Sequence, residues 1–165
     1  MAFQEPPYTT SLEFVDHVRR ATPDSLQYLI TDMFETITLY DNAVQAVDVK
    51  ELDNGRHEVT LTFSVSKYRT DDQGKQRFED VEGTALEAKI GRRDVKSLPL
   101  ADYIEFGVFG EADGANDNPL YLQKHRIEQI DNTVSIIVTG KPVEVGVDPY
   151  NKLIDRNSDD NRKKI

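Results

Sequence analysis

The chain has 165 residues, 38% hydrophobic and 30% charged, with no cysteine and a formal net charge of −10. That length and balance suit one soluble globular domain with its own core, and the missing thiols exclude disulfides, thiolate metal sites and cysteine nucleophiles. The acidic balance argues against nucleic acid and anionic membrane surfaces as partners. No apolar run approaches the roughly 20 residues of a membrane span, so no direct insertion by this segment is expected.

Residues 1–10 read as a linker broken by Pro6-Pro7, with no signal-peptide pattern. Thr10 or Ser11 can cap a first helix, with Glu13 in its first turn and Leu12, Val15 and Val18 at helical spacing. Ala21-Thr22-Pro23 stops it. Thr22 is expected to cap a second helix with Pro23 at its first position, and Leu26, Leu29, Ile30, Met33 and Phe34 form the expected apolar face. Residues 11–35 thus make a helical preface.

From residue 36 the period becomes two. Strands are expected over 37–52, over 58–66 where Val59, Leu61, Phe63 and Val65 alternate with polar residues, over 76–90, and near 102–109, 120–129, 133–139 and 143–147. Asp53-Asn54-Gly55 supplies a hairpin turn, and Asp71 to Lys75 the next one. Residues 111–119 are expected to form a long acidic loop. Seven short strands without interleaved helices predict a β-sandwich of immunoglobulin or fibronectin type over 36–147, preceded by two short α-helices. A turn-rich tail over 148–165 follows, whose Val147, Tyr150, Leu153 and Ile154 can anchor it to the body.

His17, His57 and His125 have no metal-ligand spacing. His57-Glu58 begins like a zincin helix, but Leu61 stands where the second histidine belongs and the segment alternates as a strand. Asp113, Asn116, Asp117 and Asn118 offer oxygen ligands for calcium without the spacing of an EF-hand. Glu79-Asp80 and Asp71-Asp72 are paired carboxylates, and Lys124-His125-Arg126 puts cations beside Tyr121. No nucleophile elbow, phosphate loop or dinucleotide fingerprint occurs, so neither catalytic nor metal residues are assigned.

Three stretches carry a resemblance. They are Thr22 to Asn42, Leu120 to Ile127, and the tail from Gly146 to Asn161 with its Asp148-Pro149-Tyr150-Asn151 turn. In this order they resemble the C-terminal end of large bacterial membrane proteins that fuse an ABC-transporter-like permease to an aminopeptidase of peptidase family M1. The resemblance implies a zinc peptidase domain upstream, with its His-Glu-x-x-His helix outside this chain. It therefore implies no cofactor here, the upstream catalytic and membrane domains as partners, and an accessory role in packing on or gating the peptidase. The tail turn is the expected interaction surface: Asp148, Pro149, Tyr150, Asn151 and Asp155, with Tyr150 offering a ring and polar tip. The alternative is a free-standing binding module for carbohydrate, peptide or calcium, using the acidic 111–118 loop.

Overall fold

The computed structural model describes residues 8–74, 98, 100–114 and 116–165. Helix α1 spans Ser11–Ala21 and opens on a capping box: Glu13 N–H donates to Thr10 Oγ1 at 3.2 Å and Thr10 N–H to Glu13 Oε2 at 2.7 Å. Thr22 closes this helix and does not cap the next. Its N–H donates to Arg19 O at 3.2 Å and its hydroxyl to Val18 O at 2.7 Å. The chain restarts as a 3-10 turn, Asp24–Leu26, then helix α2, Gln27–Ile30, and a π turn, Thr31–Glu35.

The apolar face expected on this second helix divides. Ile30 is buried, whereas Met33 is 68% exposed and Phe34 44%. A π turn takes more residues per revolution than an α-helix. The spacing that would unite the five side chains is lost after Ile30.

Seven strands follow among the described residues: β1 Ile37–Glu51, β2 Arg56–Thr70, β3 Asp102–Asp113, β4 Asn116–Ile127, β5 Asp131–Thr139, β6 Glu144–Val147 and β7 Arg162–Lys164. They form two antiparallel sheets, one in the order β1-β2-β5 and the other β4-β3-β6-β7. The β1–β2 hairpin turns as its sequence demands, with positive φ at Asn54 (63°) and Gly55 (69°). The expected strand over 76–90 lies outside the described residues.

Both sheets bury one face in a single cluster. Val59, Leu61, Phe63 and Val65 of β2 are no more than 1% exposed and meet Ile104, Phe106 and Val108 of β3. The Phe63 and Phe106 rings stand 4.5 Å apart between centroids. On the opposite face of β2, Thr60 Oγ1 and Ser135 Oγ share a hydrogen bond at 2.9 Å.

One expectation about the second sheet is corrected. Residues 111–119 do not form a long loop: β3 runs to Asp113, β4 starts at Asn116, and Asp113 pairs with Asn116 in register. Backbone pairing overrides the weak strand propensity of these small and acidic residues. The tail, expected to be turn-rich, runs through turns and bends and then ends in β7, which pairs with β6. No described helix is long and apolar enough to cross a membrane.

Candidate functional site

The tail turn is built by Asp148. It takes φ of 44°, is 2% exposed, and donates its N–H to Glu105 O at 2.7 Å. Its carboxylate accepts from the N–H groups of Lys152 (3.1 Å) and Leu153 (2.8 Å), an Asx-type closure. Burial pushes the Asp148 carboxyl above the ordinary aspartate range, against the lowering effect of those two donors. Pro149 is buried against Gly146, where a Cβ would lie 2.8 Å from the Pro149 Cβ. Lys152 Nζ reaches Glu105 Oε2 at 2.7 Å.

Asp155 ties the tail to the other sheet. Its carboxylate accepts from Asn42 N–H and Asn157 N–H, both at 2.9 Å, while Tyr40 N–H donates to Ile154 O and Arg156 N–H to Tyr40 O. With its amide nitrogen turned toward acceptors, the fully buried Asn161 donates to Asp155 Oδ2 (3.2 Å) and Asn42 O (2.8 Å). The five residues expected to form an interaction surface therefore divide. Asp148, Pro149 and Asp155 are spent inside the molecule, and Tyr150, 41% exposed, stands at the surface with Asn151.

Tyr150 leads to a groove at the far end of the second sheet. Its ring meets Phe109 edge-on at 6.1 Å, and the Arg162 guanidinium lies 4.5 Å from the centre of the same Phe109 ring. Arg162 also holds Asp117 (2.9 and 3.2 Å) and Glu144 (2.5 Å). That hydrogen bonding keeps the Asp117 carboxyl below the usual range. Beside this cluster opens a groove of about 450 Å³ lined by Phe109, Gly110, Glu111, Asp117, Lys141 and Lys164, among others. Asp117, a calcium-ligand candidate by sequence, thus spends its carboxylate on a guanidinium, and Asn118 Nδ2 donates to Glu111 O at 3.3 Å.

A second polar cluster is buried beneath the helical preface. Lys67 Nζ, on β2, lies 2.5 Å from Asp32 Oδ2 and 3.1 Å from Asp102 Oδ1, and all three side chains are under 10% exposed. Arg69 reaches Asp32 at 3.5 Å, so the four named charges cancel. Tyr40 donates to Asp102 Oδ1 at 3.1 Å, and Tyr28 donates to Ala101 O at 3.0 Å with its ring 5.0 Å from Lys67 Nζ. Burial, and then Asp102, hold the Tyr40 phenol far above its usual range, so it stays a donor. Sequence reading missed this cluster. The one signal was Lys67, which lies on a strand whose 59–65 stretch alternates cleanly between apolar and polar residues.

The histidines stay apart: His17 on α1, His57 on β2, and His125 on β4 with Nε2 2.5 Å from Tyr121 Oη. Among the described residues no three His, Asp or Glu side chains are grouped to hold a metal ion. Zinc therefore has no fitting ligand set among them. No protein-family model, curated protein or solved structure matches the chain.

Proposed function

We propose that this chain is a non-catalytic accessory domain of a membrane-anchored, zinc-aminopeptidase-like protein, packing on or gating an upstream peptidase domain. Two antiparallel sheets sharing one core support a sandwich of immunoglobulin or fibronectin type for its body. The observation that carries the docking role is the exposure of large apolar side chains on the helical preface. Leu12 (80% exposed), Phe14 (52%), Met33 (68%) and Phe34 (44%) all stand exposed, and the Phe14 and Phe34 rings meet edge-on at 6.0 Å. α1 buries no residue at all. A concentration of exposed large apolar side chains within one segment marks a protein-contact surface, unlike the scattered singles normal on any protein. Asp32 and Lys67 join the preface to the sheet below through a buried ion pair.

The reading frame upstream of the coding sequence is the direct test. Membrane spans and a His-Glu-x-x-His helix encoded there are expected; a stop codon immediately before Met1 overturns the proposal. On the encoded parent, Leu12→Glu with Phe34→Glu is expected to separate this domain from the peptidase in limited proteolysis without unfolding it. Aminopeptidase activity of the isolated chain with added zinc contradicts the non-catalytic role. The second reading, a free-standing binding module, draws on the groove beside the 111–118 hairpin.

A further inference from the structure

β3 outruns its neighbour. It pairs with β6 from Phe106 to Phe109, opposite Val147 to Glu144, and then continues to Asp113. The last rung is Val143 N–H to Phe109 O at 2.8 Å. Pro142 comes next in the receding chain and has no N–H to extend the ladder. On that side, Gly110 to Ala112 have no strand partner among the described residues; the Glu111 carbonyl is held by Asn118 Nδ2 of β4, and the groove of about 450 Å³ lies against all three residues. An unpaired strand edge is a template for another extended chain, and the volume falls in the ~300–1,000 Å³ range of ligand clefts.

The charges of the groove select the occupant. Two of its acids, Asp117 and Glu144, are committed to Arg162. Lys141, Lys164 and Glu111 also line it and are exposed, and their charged groups have no hydrogen-bond or ion-pair partner among the described residues. Among the described lining residues, two ammonium groups without such a partner stand beside one carboxylate likewise without one. We infer that this groove takes an extended peptide segment, which adds to the open edge of β3 in line with β6 and seats an acidic side chain on Lys141 and Lys164. Glu111 limits the sequence to an acidic residue flanked by uncharged ones and disfavours an acidic run. Three residues of edge span about 10 Å at ~3.3 Å per residue, so the contact is short and exchange is fast. The inference goes beyond the accessory role and holds whether or not a peptidase lies upstream.

The test is a titration of the isotope-labelled full chain with acetyl-Thr-Val-Glu-Val-Thr-amide, followed by amide resonances. Saturable shifts at Gly110, Glu111, Ala112, Lys141 and Val143 are expected. Affinity should fall about tenfold or more, equivalent to ~1.4 kcal/mol, for the peptide with Lys in place of Glu and for the Lys141→Glu/Lys164→Glu variant. Both substitutions are on exposed side chains, and an unchanged spectrum away from the groove verifies the variant's fold. Absence of saturable shifts at millimolar peptide, shifts confined to other faces, or equal affinity for the Glu and Lys peptides overturns the inference.

Discussion

Asp148 and Asp117 sit at opposite ends of the same electrostatic scale. Asp148 is buried and its carboxyl titrates above the ordinary value, so the stability it contributes is present below about pH 3.9 and is lost as pH rises through its raised pKa. Asp117 is held by Arg162 and titrates low, so its contribution is present above about pH 3.9 and lost as pH falls through its lowered pKa. Asp148→Asn should therefore cost more stability at about pH 3 than at about pH 6, and Asp117→Asn the reverse. Urea denaturation of both variants across that window checks the crossing, and two parallel profiles would contradict it. Leu12 makes a third residue-scale case. At 80% exposed, its replacement by Ser should change stability by no more than about 0.5 kcal/mol while weakening any contact made by the preface.

Elements are joined here by buried polar groups more than by helix packing. Lys67 fastens the π turn to β2, so Lys67→Met leaves Asp32 and Asp102 buried with less compensation and should cost about 3–5 kcal/mol. Adding Asp32→Asn and Asp102→Asn should recover part of that loss. Faster hydrogen exchange in α1 and α2 in the single variant would locate the damage, and unchanged exchange there would refute the fastening role. The tail packs by close approach: Gly146→Ala puts a Cβ 2.8 Å from Pro149 Cβ and 3.2 Å from Asn161 O, an overpacking worth about 1–3 kcal/mol, read from the urea midpoint. At this scale the sequence was partly legible. Thr10 and Glu13 announce their capping box, and Asn54-Gly55 their hairpin, because both signals act within four residues. Arg162-Lys163-Lys164 announces nothing. Three successive cations carry no strand pattern, and they form a strand because β6 offers them an edge. The acidic hairpin was misread for the same reason: its partner residues, not its propensities, make it extended. The Lys67 cluster and the groove bring together residues far apart in sequence, and no local pattern reports them.

The whole molecule is closed by its tail, which pairs with β6 in one sheet through β7 and with β1 in the other through Tyr40 and Asp155. A chain truncated after Val147 should lose more than the tail. Removing it strips cover from Val145 and Val147 and leaves the buried Asn42 N–H without its acceptor. Hydrogen exchange should accelerate in β1 and β3 together; protection unchanged in both would make the tail an appendage.

The bond from Asn42 N–H to the Asp155 carboxylate spans 113 positions of the chain. During synthesis at ~5–20 residues per second, the ribosome adds Asn42 roughly 6–23 s before it adds Asp155. Over that interval the first hairpin can form, but its edge toward the tail stays bare and adhesive. A nascent chain paused anywhere before Asp155 is therefore the species most exposed to aggregation, and the one on which a chaperone has most to act.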